Sequence, residues 1–111
     1  IGTQLILMPA VAAVVIDDEG RVLLQQRADT GLWGFPGGAL DPGEEPARAV
    51  IREVWEEVGL RVIPERLIGL FGGADLRLTY PNGDEVEPVV AAFRCRVVGG
   101  EIAFHDGESR D

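Results

Sequence analysis

Residues 38–60, GALDPGEEPARAVIREVWEEVGL, decide how the rest of this chain is read. Pro46 suits a first helical position, where its missing N–H costs nothing, and Gly59 suits a left-handed C-terminal stop. Between them Ala47, Val50, Ile51, Val54 and Val58 recur at helical spacing and predict one apolar stripe. Glu53, Glu56 and Glu57 stand at i, i+3 and i+4, so at about 100° per residue they share an arc beside that stripe. Like charges so placed repel one another, and a hard divalent cation with a preference for oxygen ligands removes the penalty. Magnesium or manganese fits that description. Zinc prefers His or Cys, and the chain has one of each, far apart in sequence. On the carboxylates alone, a solvated acidic face salt-bridged to Arg48 or Arg52 is the competing account.

Upstream, Leu5 to Ile16 is an apolar stretch that ends on the turn sequence Asp17-Asp18-Glu19-Gly20. It has no basic flank, is followed by no small-residue cleavage pattern, and is shorter than the roughly 20 residues a bilayer requires. It predicts a buried strand, with Arg21 to Arg27 returning beside it as a β-hairpin. Residues 28–45 hold so much Gly and Pro that they read as loop, with at most a short strand around Trp33 to Phe35. Downstream, Leu67 to Phe71 and Asp75 to Tyr80 read as strands. Pro81-Asn82-Gly83-Asp84 reads as a turn, and Val89 to Val98 as a strand closed by Gly99-Gly100. The last eleven residues read as a polar tail. Strands, one helix, then strands again give an α+β layer fold around a mixed sheet.

The chain has 111 residues, enough for one domain spanning 1–111 with one core. Its 46% hydrophobic content is that of a globular protein. Net charge is −9, and all ten basic residues are arginine. That balance argues against a nucleic-acid polymer or an anionic membrane as partner. A phosphorylated small molecule stays open, because a divalent metal can bridge two anions. One cysteine rules out an internal disulfide framework.

The box from Gly38 to Leu60 has a recognisable frame. Gly, five residues, Glu, seven residues, Arg-Glu, aliphatic, any, Glu-Glu, any, Gly, aliphatic is filled by Gly38, Glu44, Arg52, Glu53, Val54, Glu56, Glu57, Gly59 and Leu60. By this motif, and by the approach Leu32-Trp33-Gly34-Phe35-Pro36-Gly37, the chain resembles the Nudix (MutT-like) hydrolases. The resemblance implies an αβα sandwich. It also implies metal-dependent hydrolysis of a nucleoside diphosphate linked to another moiety: a nucleoside triphosphate, ADP-ribose, a nucleotide sugar or a dinucleoside polyphosphate. A cytoplasmic location is the expectation, a reduced compartment being compatible with the single cysteine. Tyr80 and Pro81 lie too far after Leu60 to match the tyrosine typical of dinucleoside polyphosphate hydrolases or the proline typical of ADP-ribose hydrolases. Against the family the chain looks short, and a further strand and covering helix are expected after Asp111. Nudix proteins are often dimers, so a homodimer is among the expectations.

Carried over residue by residue, the resemblance makes the Gly37 carbonyl, Glu53, Glu56 and Glu57 the metal ligands. Arg52 then holds Glu44 by charge-assisted bonds. Glu53 is the first choice for the base that takes a proton from water. Glu56, or a downstream acid such as Glu108, is an alternative; Glu101 and His105 are weaker ones, and all three tail residues also read as a solvated tail. Arg27 is a candidate phosphate contact and equally a surface charge. Trp33 and Phe35 read first as packing against the sheet and second as stacking on a base. Cys95, in phase with Phe93 and Val97, reads as a buried core thiol. Two rival functions stand beside catalysis: a non-catalytic Nudix-fold nucleotide-binding or interaction module, and an acidic structural domain without metal.

Overall fold

The computed structural model describes residues 5–26 and 33–102. Strand β1 (Leu5–Ile16) lies parallel to the last strand, β7 (Glu85–Gly100), in an unbroken register from Leu5 opposite Glu85 to Ile16 opposite Arg96. On the far side of β7 runs antiparallel β5 (Leu60–Phe71). The short β4 (Gly37–Ala39) pairs antiparallel with the other edge of β1. The order is therefore β4-β1-β7-β5, with the two-residue β6 (Leu78–Thr79) capping the near end of β7. One parallel pair among antiparallel ones makes the sheet mixed, as expected of the α+β class.

The helix α1 (Pro46–Val58) lies on one face of this sheet. Pro46 opens it. Gly59, at φ 78°, closes it in the left-handed region with its N–H on the Trp55 carbonyl. Val50, Val54 and Val58 are fully buried against Val11, Ala13 and Val15 of β1, Leu60 and Val62 of β5, and Cys95 of β7. Period 3.6 on the helix meets period 2 on the strands, and that match fixes how α1 is rolled. Ala49 is buried with the stripe, whereas Ile51 turns outward, contrary to its expected place in it. Trp55 also faces out, and the Arg61 guanidinium sits 5.2 Å from its ring centroid. Among the described residues α1 is the only α-helix, so they supply one helical layer of a sandwich.

Several elements depart from the sequence expectations. β1 is a strand throughout, but its buried positions begin at Ala10; Leu5, Ile6 and Leu7 are exposed. The expected hairpin partner shrinks to a single bridge between Ile16 and Val22. The chain then peels away, and β2 (Gln25–Gln26) pairs instead with β3 (Trp33–Gly34). β4 falls inside the segment read as loop. β5 starts directly after the helix rather than at Leu67, and β7 starts at Glu85 rather than Val89. Residues 75–80 form a 3-10 turn (Ala74–Leu76) followed by β6 instead of one strand. Pro64 escaped recognition as a strand residue because β5 is an edge strand with register shifts around it, where a missing N–H is tolerated.

Candidate active site

The box carboxylates lie where α1 passes β4. β4 is pressed so close to β1 that a Cβ on Gly37 would come within 2.2 Å of the Val11 carbonyl oxygen. The next residue, Gly38, lies over Glu53, and a Cβ there would lie 2.7 Å from its Oε1. Position 37 faces backbone and requires a residue without a side chain, whereas at position 38 a Cβ would have to push the end of the Glu53 side chain aside. The pair of glycines lets a strand backbone lie against a helix carboxylate.

Glu53 is largely covered and accepts a bond from Arg52 Nη1 at 2.9 Å. Glu57 is half-buried. It accepts from the Gln25 amide and from the Gly37 N–H, and its carboxyl is hydrogen-bonded to that of Glu53. Burial first, and then the neighbouring Glu53, push the Glu57 pKa up to about 8. Glu57 so placed holds a proton more tightly than a free carboxyl, and a hard cation is the natural replacement for that proton. Glu56 is more exposed and accepts from Arg52 Nη1 at 3.0 Å. The described residues contain no ready-made cluster of three or more acidic, His or Cys side chains around a common centre. The tight unit is the Glu53–Glu57 pair, with the Arg52 guanidinium between Glu53 and Glu56.

Arg52 also reaches back to the loop before the helix. It donates twice to Glu44, from Nε at 2.7 Å and from Nη2 at 2.9 Å, and once to the Ala39 carbonyl at 3.3 Å. Asp41 N–H donates to the same Glu44 carboxylate at 3.0 Å. One guanidinium thus ties residues 39–44 to the helix arc that bears the acids.

Trp33 and Phe35 are each about half exposed, 48% and 49%, so neither is packed away against the sheet. Arg27, His105 and Glu108 lie outside the described residues; Glu101 is exposed at the end of β7. Cys95 is buried, and burial raises its thiol pKa to about 11, which keeps it protonated and unreactive. Gln25 was missed as a site residue. A neutral side chain in an ordinary-looking strand carries no sequence signal, and only its contact with Glu57 marks it. A cleft of about 400 Å³ opens at the other end of β1, lined by Val15, Leu23, Leu60, Val97 and Ile102; none of the box acids lines it.

The family model for the NUDIX domain matches residues 6–111. A MutT-like protein of Streptomyces ambofaciens is 40% identical over 91 residues, covering 82% of this chain and 53% of that protein. An RNA pyrophosphohydrolase of Pectobacterium atrosepticum is 43% identical over 53 residues, 48% of this chain and 30% of its own length. Among solved structures, an ADP-ribose pyrophosphatase from Streptococcus suis superposes with a TM-score of 0.71 at 28% identity, covering 93% of this chain and 69% of that one. The chain spans about half the length of the Streptomyces relative and under a third of the Pectobacterium one.

Proposed function

This chain belongs to the Nudix family, and from that membership we propose that it is a metal-dependent hydrolase of the pyrophosphate bond in a small nucleotide, a nucleoside diphosphate joined to another moiety. The observation that carries the proposal is the Glu53–Glu57 carboxyl pair under the Gly37-Gly38 backbone, buttressed by Arg52 and Glu44. An acidic solvated face would leave those side chains apart in water. Here they are gathered and half-buried, and a bound divalent cation would offset the cost of holding both in their charged forms.

The cation we assign is Mg²⁺, with Mn²⁺ as substitute, held by Glu53, Glu56, Glu57 and the Gly37 carbonyl. When bound it neutralises phosphate oxygens and lowers the pKa of water. The protein's own contribution is positioning. Arg52 fixes the helix arc against residues 39–44, so the carboxylates do not drift as charge builds on phosphorus. Glu53, held by Arg52 on one side and facing Glu57 on the other, takes the proton of the attacking water. Glu56, whose bond to Arg52 is exposed, would be the further carboxylate available to hold the cation. Trp33 and Phe35, half open to solvent, are assigned to the nucleobase, and Arg27 to a phosphate. A cytoplasmic setting suits this reading, since small nucleotides are found there and the lone buried Cys95 needs no oxidising compartment.

A panel of nucleoside triphosphates, ADP-ribose, nucleotide sugars, dinucleoside polyphosphates and 5′-triphosphorylated RNA, assayed with Mg²⁺ and with Mn²⁺, tests the proposal. Hydrolysis of at least one small nucleotide, lost in Glu53→Gln, is the expected result. Inactivity across the panel, or activity indifferent to Glu53→Gln, overturns it.

A further inference from the structure

Gln25 leaves the sheet to reach the acids. β1 and the chain after Asp17 share one bridge at Ile16–Val22, made by the Asp17 N–H on the Arg21 carbonyl at 3.0 Å and the Leu23 N–H on the Val15 carbonyl at 2.9 Å. Beyond that point the strand turns to β3, with Gln25 opposite Gly34 and Gln26 opposite Trp33. The Gln25 side chain then bonds the helix: its Nε2 donates to Glu57 Oε1 across 32 residues of sequence. An amide is the side chain suited to this place. A carboxylate would add a third negative charge. A lysine would place a competing cation on the acid pair. An apolar chain would leave a half-buried carboxylate oxygen without its donor.

We propose that Gln25 is a positioning residue for Glu57: its amide holds one carboxylate oxygen and sets the orientation in which the other meets a divalent cation. This rests on the hydrolase reading above. The Gly37 N–H helps from β4, so Glu57 is held from two strands, one on each side of the Trp33–Phe35 segment. A ligand carboxylate oriented by hydrogen bonds from its neighbours binds metal more tightly than a free one, and losing such a partner typically costs about 10- to 100-fold in affinity. The role differs from that of Arg52. Arg52 neutralises and braces Glu53, Glu56 and Glu44, whereas Gln25 leaves the charge of Glu57 in place and removes its freedom to rotate.

The test is the Mn²⁺ affinity of the full chain, read from the electron paramagnetic resonance signal of free Mn²⁺, in wild type, Gln25→Met and Gln25→Asn. Met keeps the length and removes the donor; Asn keeps the amide and falls one methylene short. Both variants are expected to melt near wild type without metal, to bind Mn²⁺ about 10- to 100-fold more weakly, and to regain turnover as Mn²⁺ is raised. KM for the nucleotide at saturating Mn²⁺ should not change. Unaltered Mn²⁺ affinity in either folded variant overturns the assignment and leaves the hydrolase reading standing. A wild-type chain that binds no Mn²⁺ overturns the metal-dependent reading and this one together.

Discussion

Arg52 grips Glu44 through two near-parallel bonds, Nε to Oε2 at 2.7 Å and Nη2 to Oε1 at 2.9 Å, and so closes the pre-helix loop onto the acidic arc. The same guanidinium donates to Glu53 and Glu56. Only a planar fork with several fixed donors serves all three acids at once, and a lysine ammonium cannot. Arg52→Lys is therefore expected to fold but to lose on the order of 10- to 100-fold in kcat/KM. Steady-state kinetics at saturating Mg²⁺ check this, and full retention of activity would mean that the fork is ornamental.

The fork also sets an acid limit. Bonds from Arg52 first, then from the Asp41 N–H, hold the Glu44 pKa at about 2 against an ordinary 4.5. A carboxyl depressed in the folded state adds stability above its unfolded pKa and loses it as pH falls through the folded one. Melting temperatures of wild type and Glu44→Gln should thus differ by a steady amount above about pH 4.5 and converge as pH approaches 2. A gap that stays constant across that range contradicts the pairing as the cause.

Both partners were legible in the sequence because charge and spacing mark them: Glu44 and Arg52 are box positions with a charge-assisted bond to make. The helix was legible too, since Pro46, Gly59 and the Val50-Val54-Val58 stripe agree on one answer. What was hidden is what depends on a partner far along the chain. β4 is three residues of Gly-Gly-Ala, and nothing local distinguishes them from loop until β1 offers its edge. The failed hairpin is the same lesson reversed. Arg21 to Arg27 has strand composition, but Leu23 makes its last described bond to β1 and Gln25 and Gln26 pair with β3 instead. Ile51 fits the helical period yet faces out, because the stripe needed by the sheet is narrower than the apolar set the sequence offers.

Glu57 should make the metal-free protein sensitive to alkali. Its pKa rises from 4.5 to about 8 through burial and the Glu53 carboxyl. The folded state then holds a proton that the unfolded state has released between those values, so stability falls as pH rises through that window. In the presence of a chelator, the melting temperature is expected to decline from pH 5 to about 8. Glu57→Gln should flatten the decline, and saturating Mg²⁺ should lift the wild-type curve most at its alkaline end. Parallel pH profiles for wild type and Glu57→Gln count against this account of the pair.

The two glycines of β4 separate fold from chemistry. An alanine at position 37 drives its Cβ to 2.2 Å from a backbone oxygen of β1, which cannot yield without moving the strand. Gly37→Ala should cost about 1–3 kcal/mol of stability. At position 38 the obstacle is the far end of the Glu53 side chain, which can swing aside. Gly38→Ala should keep most of its stability and lose activity, since the carboxylate that yields is the proposed base. Thermal melts beside turnover measurements discriminate the two, and equal stability losses would show that the contacts are alike in kind.

Glu53→Gln brings these relationships to one variant with opposed effects. Glu53 crowds Glu57, so its charge is a liability to the metal-free fold, while its proposed role as base makes that charge necessary to the reaction. Replacing it with an amide keeps a partner for Glu57 and removes the repulsion. The variant is expected to match or exceed wild type in melting temperature without metal. Its turnover should fall by about 10²- to 10⁴-fold, the usual contribution of a general base. Mg²⁺ should also stabilise it less than wild type, because one ligand charge is gone. A loss of turnover accompanied by a comparable loss of metal-free stability would make Glu53 a structural carboxylate, and would shift the base to Glu56, whose own Gln variant should then show the larger kinetic defect.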